Sequence, residues 1–267
     1  MDKRGIGVFD SGLGGLTVLK EIKKILPNED LVYFGDTARV PYGPRSKETI
    51  MKYTFQAINF LLTKDVKAIV IACNTATARS LVEAQEKYDI PIIGVIEAGA
   101  RTAAASTKNG KVGIIGTEGT IKSKAYNAEI KKIDKRIKVY GKACSLFVPI
   151  VEEGWANTEV ARLTAKEYLK ELEEKGVDSI VLGCTHYPLL KRTIGEEVGM
   201  EVKLVNPARE TAIDLKNILI EKNLLNTKEE LGECNYFVSD INEKFPSIAR
   251  EFLKSKIEVE KVEIQRY

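Results

Sequence analysis

The sequence holds little that would mark a metal, membrane or nucleic-acid protein. Its 267 residues include one histidine, His186, and four cysteines, at 73, 144, 184 and 234. The cysteines are widely spaced and never form a CxxC pair, which argues against a disulfide framework or a zinc knuckle. No run approaches the roughly 18 apolar residues of a membrane span. Residues 1–4 lead straight into a strand-like segment, leaving no room for a signal peptide, so the expected compartment is the cytoplasm, where thiols stay reduced. An excess of one charge is lacking as well. Lys plus Arg, 41, against Asp plus Glu, 38, gives +3, and the lysines are dispersed along helix-like stretches, so nucleic acid is not an expected partner. No GxxxxGK[ST] phosphate loop occurs. The turn DSGLGG at 10–15 resembles a dinucleotide fingerprint, but Thr17 stands where its third glycine belongs.

What is present is a repeat. DVKAIVIACNT at 65–75 recurs as GVDSIVLGCTH at 176–186. Val66, Ile69, Val70 and Cys73 of the first align with Val177, Ile180, Val181 and Cys184 of the second. A short β-branched run bounded by polar residues predicts a strand buried on both faces. Its polar tail then lies at the carboxyl end of the strand, where open α/β sheets bind ligands. IGVFDSGLGG at 6–15 echoes VGIIGTEGTI at 112–121, so Asp10-Ser11 in the first copy becomes Gly116-Thr117 in the second. Val32-Tyr33 and Pro41 find partners in Val139-Tyr140 and Pro149.

The expected fold is therefore α/β: two similar lobes with mainly parallel sheets, related by an internal pseudo-repeat, with an active site in the cleft between them. Residues 1–97 plus 208–267 form the first lobe and residues 98–207 the second. Strands are expected over 6–9, 31–34, 90–96, 111–116, 201–205, 235–239 and 259–264, besides the two cysteine strands. Helices are expected over 16–26, 46–63, 76–88, 101–107, 158–174, 208–225 and 246–253. The pieces after 208 are expected to return to the first lobe and complete its sheet. Residues 35–44, rich in turn formers, are expected as a loop, and Glu152 is expected on the corresponding loop of the second half.

Each matched cysteine precedes a segment that should start a helix, at Ala76 and at Pro188. A helix N-terminus places partial positive charge near a sulfur and favours its thiolate. Two thiols with separate proton handlers suit a reaction that takes a proton from one face of a carbon and returns one to the other. Asp10 serves the first thiol; His186 and Glu152 serve the second. Carbanion stabilisation falls to Ser11, Asn74, Thr75, Thr185 and backbone N–H groups. This scheme demands no metal and no organic cofactor, and it requires both sulfurs to reach solvent. Cys144 and Cys234, which end no strand of the repeat, read as core residues, and Trp155 reads as packing. Asp36 and Glu97 read as structural caps. Two other readings stay open: a thiol hydrolase using Cys184, His186 and Glu152, and a two-lobed amino-acid-binding protein needing neither thiol.

DSGLGGLTVL, GDTARVPYG, ACNTAT, VPIVEEG and GCTHYPLL together resemble the glutamate racemases of the aspartate/glutamate racemase superfamily. The resemblance runs from Gly5 to about Pro207. It implies cofactor-independent interconversion of L- and D-glutamate, supplying D-glutamate for peptidoglycan, by a homodimer whose small-molecule substrate is glutamate. It implies that Cys73 acts on D-glutamate, assisted by Asp10, and Cys184 on L-glutamate, assisted by Glu152 and His186. Asp10, Ser11, Tyr42, Gly43, Asn74, Thr75, Thr185 and His186 would bind the substrate. The same chemistry on aspartate differs by one methylene, worth only ~1–3 kcal/mol in discrimination.

Overall fold

Two all-parallel sheets with the same strand order in their shared part organise the chain. The computed structural model describes residues 2–241, 249–250, 252–253 and 257–267. The chain divides into two compact units, Met1–Val95 with Ala208–Tyr267, and Ile96–Pro207.

In the first unit, β1 (Gly5–Asp10), β2 (Leu31–Gly35), β3 (Val66–Ile71) and β4 (Ile92–Gly94) alternate with α1 (Leu16–Ile25), α2 (Lys47–Leu62) and α3 (Asn74–Lys87). The second unit runs α4 (Ile96–Ser106), β5 (Lys111–Gly116), α5 (Glu118–Ser123), α6 (Ala125–Ile133), β6 (Lys138–Ala143), α7 (Phe147–Glu152), α8 (Glu159–Lys175) and β7 (Ser179–Gly183). It continues through a 3-10 turn (Tyr187–Leu190), α9 (Lys191–Val198) and β8 (Lys203–Val205). The chain then returns to the first unit with α10 (Pro207–Glu221), β9 (Cys234–Val238), β10 (Val259–Lys261) and a 3-10 turn at Ile264–Arg266. The first sheet has the order β10-β9-β2-β1-β3-β4 and the second β6-β5-β7-β8. The sequence echo is thus a topological one, since β2-β1-β3-β4 and β6-β5-β7-β8 are the same arrangement. As expected, the pieces after 208 extend the first sheet, with β9 pairing in parallel to β2.

Composition explains these elements. Every residue of β3, VKAIVI, is buried, as a central parallel strand covered on both faces requires. The one charge in it, Lys67, is fully enclosed and meets Glu29 at 2.6 Å. The first core is aromatic: Phe9 stacks on Phe34 at 6.2 Å, and Phe60 joins Phe34 at 5.2 Å and Phe237 at 5.3 Å. α2 begins where Ser46 accepts the Thr49 N–H. α8 ends where Gly176 takes φ 65°, a left-handed cap that glycine adopts without steric cost.

Several boundaries depart from the sequence expectation. α4 starts at Ile96, five residues before the expected Arg101. β4 and β8 are three residues each, shorter than expected. Residues 147–152 are helical rather than loop: Pro149 sits in the first turn of α7, where an N–H has no intrahelical partner to lose. The helix expected over residues 246–253 falls partly outside the described residues.

Candidate active site

In the first unit, β1 and β3 lie side by side, with Phe9 opposite Ile71. Their carboxyl ends place Asp10-Ser11 next to Cys73. The Cys73 thiol lies 3.4 Å from Ser11 Oγ. Cys73 is also the N-cap of α3, its sulfur accepting the Ala76 N–H at 3.5 Å. The 14-residue helix behind it therefore directs an N–H and its positive end at this sulfur. Asn74 and Thr75 open the same helix and are buried.

Asp10 is wholly buried and accepts the Gly12 N–H at 3.0 Å. Gly15 has to be glycine here, because a Cβ at that position would collide with the Asp10 side chain. Tyr33, on the neighbouring strand, donates to Gly12 O at 2.8 Å and so fixes the turn that carries Asp10 and Ser11. The sequence names Tyr33 only as part of the repeat and gives no sign of this role.

The loop after β2 is built around Asp36. Tyr42 donates its hydroxyl to Asp36 Oδ2 at 2.5 Å, and Arg39 Nε reaches the same oxygen at 2.7 Å. Ser239 Oγ donates to Asp36 Oδ1 at 2.8 Å. Asp36 is fully buried, so it is far more than the cap the sequence suggested. Tyr42 is buried too, and its hydroxyl is committed to Asp36. What the Tyr42-Gly43 pair can offer a ligand is main chain. The Val40–Pro41 peptide within this loop is cis.

The second unit repeats the frame and changes the chemistry. β5 and β7 run side by side, Gly116 opposite Gly183, and Cys184 follows β7 as Cys73 follows β3. The Asp10-Ser11 equivalent is Gly116-Thr117, where Thr117 caps α5 through the Thr120 N–H at 3.3 Å. A 3-10 turn separates Cys184 from α9, so this sulfur does not cap a helix as Cys73 does. The expected helix start at Pro188 is this 3-10 turn. In place of the helix, His186 Nδ1 stands 3.9 Å from Cys184 Sγ, and His186 Nε2 lies 3.1 Å from Glu152 Oε1.

Glu152 reaches His186 because α7 is pinned beside the 3-10 turn. Phe147 packs edge-on against Tyr187 at 5.2 Å, and Tyr187 donates to Cys144 O at 2.8 Å. Burial opposes charge on His186, but the sulfur on one nitrogen and the carboxylate on the other favour it, holding its pKa up at about 10. Thr185 is buried beside it. Tyr126 also lies within electrostatic reach of Cys184, and burial raises its hydroxyl far above the usual range.

Both matched cysteines are buried, Cys73 at 5% and Cys184 at 7% exposure, where the sequence reading expects sulfurs that reach solvent; Cys144 is at 0%. Cys144 directly follows β6 and is fully buried, as its reading as a core residue expects, and burial pushes its thiol up. Cys234 opens β9 in a half-buried position. Trp155, expected as a packing residue, is 49% exposed, and Glu97 is exposed in the first turn of α4. Among the described residues no cluster of His, Cys, Asp and Glu could hold a metal ion. Among them, too, no helix is long and apolar enough to cross a membrane.

The sequence matches the Asp/Glu/hydantoin racemase family over residues 6–213. It is 55% identical to a glutamate racemase of Geobacter metallireducens, covering 96% of this chain and 95% of that protein. It is 50% identical to one of Thermoanaerobacter pseudethanolicus over the full length of both. The fold superposes on the crystal structure of the Francisella tularensis glutamate racemase in complex with D-glutamate with a TM-score of 0.94, at 43% identity over 100% of both chains. With a thiol at the same strand end of both sheets, and with these relatives, the chain belongs to the Asp/Glu/hydantoin racemase family.

Proposed function

We propose that this chain interconverts L-glutamate and D-glutamate by proton transfer at Cα, without a cofactor. The observation that carries the reading is the pair of cysteines at equivalent strand ends, each with proton handling of its own. Cys73 has Ser11, Asp10 nearby and the N-terminus of α3; Cys184 has His186 and Glu152.

One thiolate takes the α-proton and becomes a thiol. The other thiol gives its proton to the opposite face of the carbanion and becomes the thiolate, so the enzyme ends with its protons exchanged and the reverse direction already set. By family resemblance Cys73 acts on D-glutamate and Cys184 on L-glutamate. Asp10, Ser11, Asn74, Thr75, Thr185, His186 and the main chain of Tyr42 and Gly43 hold the substrate. Donors fixed in place before reaction stabilise the developing charge better than water, which must reorganise. The names of the relatives favour glutamate over aspartate, and the product would serve peptidoglycan synthesis in the cytoplasm. The homodimer implied by the resemblance is part of the same proposal, and light scattering at micromolar concentration tests it.

The test is polarimetry of each enantiomer in deuterium oxide. Label should enter the product first, and Cys73→Ser and Cys184→Ser should each lower turnover by about 10³-fold. Equal label in recovered substrate and product from the outset indicates a single base and ends the two-thiol scheme. Ammonia release from glutamine would instead support the hydrolase reading, which leaves Cys73 without a task.

A further inference from the structure

Ser239 stands about 200 residues from the loop that carries Tyr42, and beyond residue 213, where the family match ends. β9 nevertheless pairs with β2 so that Gly35 faces Val238, and this puts Ser239 directly beside Asp36. Its backbone N–H donates to Gly35 O at 3.1 Å. Its hydroxyl donates to Asp36 Oδ1 at 2.8 Å and accepts the Ala38 N–H at 2.9 Å. The next residue continues the clasp: Thr37 Oγ1 donates to Asp240 O at 2.5 Å and accepts the Asp240 N–H at 2.9 Å.

Asp36 passes this anchorage on. Its own N–H donates to Asp10 O at 3.0 Å, and its other carboxylate oxygen takes the Tyr42 hydroxyl and Arg39 Nε. Arg39 is held in turn by Gln56 at 2.5 Å and by the face of the Tyr53 ring at 4.0 Å. A buried carboxylate with three donors in fixed directions has one low-energy arrangement. Removing a donor frees it to turn, and the loop turns with it.

We infer that Ser239 is a positioning residue for the reaction: through Asp36 it sets the main chain at Tyr42 and Gly43 that grips the substrate. The inference rests on the proposed substrate role of that pair. It places a determinant of substrate affinity just after β9, beyond residue 213, where the family match ends.

The test is steady-state kinetics of Ser239→Ala with both enantiomers of glutamate. One buried hydrogen bond corresponds to about ten-fold in an equilibrium constant. KM should therefore rise about ten-fold in both directions while kcat stays within about two-fold. Ser239→Thr, which keeps the hydroxyl, should restore KM. Hydrogen exchange should quicken at the amides of residues 37–44 in Ser239→Ala and return to the wild-type rate in Ser239→Thr. An unchanged KM, a loss confined to kcat, or no change in loop exchange overturns the inference. Should Ser239→Ala fail to fold, Thr37→Val opens the same clasp from the loop side and is held to the same KM and exchange criteria. A wild-type protein that does not racemise glutamate refutes the functional reading instead, and loop exchange then decides on Ser239 alone.

Discussion

Glu152 and His186 meet at 3.1 Å on the side of the imidazole turned away from Cys184. The carboxylate acts on the sulfur only through the ring, and its side chain is 35% exposed against 5% for the histidine. Solvent thus screens Glu152 where it does not screen His186. General acid–base groups contribute roughly 10²–10⁴ in rate. His186→Asn should lower kcat/KM by about 10²-fold and Glu152→Gln by about ten-fold.

Enantiomers have equal free energies, so kcat/KM must fall equally in both directions. The asymmetry appears in isotope effects. With Cys184 impaired, abstraction from L-glutamate becomes more rate-limiting and abstraction from D-glutamate more reversible. In His186→Asn the α-deuterium effect should grow from the L side and shrink from the D side. A uniform change would remove the assignment of His186 to Cys184.

The same histidine makes stability depend on pH. Its pKa is raised from 6.5 to about 10: burial works against the charge, and Cys184 and Glu152 outweigh it. The folded state therefore binds a proton that the unfolded state releases first. That stabilisation is complete below about pH 6.5 and is lost as pH rises through about 10. Urea unfolding of wild type and His186→Gln should show a gap that is constant at acid pH and closes by pH 10. A gap that widens with pH would mean a neutral imidazole in the fold.

Cys73 is both a proposed base and a helix cap, and two substitutions separate the roles. Serine keeps an acceptor for the Ala76 N–H; alanine does not. Both variants should lose about 10³-fold in activity. Only Cys73→Ala should also lose about 1 kcal/mol of stability, the usual worth of an N-cap. Equal stabilities by denaturant titration would show that the sulfur's contact with α3 contributes nothing to the fold.

The parts of this fold that could be read in advance share a physical cause. VKAIVI and SIVLG are legible because a strand covered on both faces must be apolar throughout, and the two cysteines stand out because the run repeats. α7 reads as loop because the repeat matches Pro149 to Pro41 of the 35–44 loop, although proline is tolerated in a first helical turn. The start of α4 is hidden because the apolar run 90–96 reads as strand to its end and Gly99 weakens the helical signal of Glu97 and Ala98, whereas Ile96 is buried by tertiary packing. Asp36 was underrated for a different reason. Its partner Ser239 lies 203 positions away, and only the pairing of β9 with β2 brings them together. Local spacing exposes a thiol at a strand end, whereas the shell of residues that holds a loop comes from long-range strand order.

Lys67 offers a test of the first unit that is independent of chemistry. It lies in β3, an interior strand of the first sheet, with its side chain wholly enclosed, 2.6 Å from Glu29 Oε2, and it donates to Asp2 O at 2.9 Å. Glu29 Oε1 accepts the Asn226 N–H at 2.7 Å, so the pair also ties the segment after α10 to the sheet. Removing one member of a buried ion pair leaves a charge with neither water nor partner, which typically costs about 3–5 kcal/mol. Lys67→Met and Glu29→Gln should each destabilise by that order. The double variant should be less destabilised than the sum, because no charge is then stranded. Denaturant unfolding of the four proteins measures the coupling. Strict additivity would show that the two side chains contribute separately, and the contact between them would then have no energetic meaning.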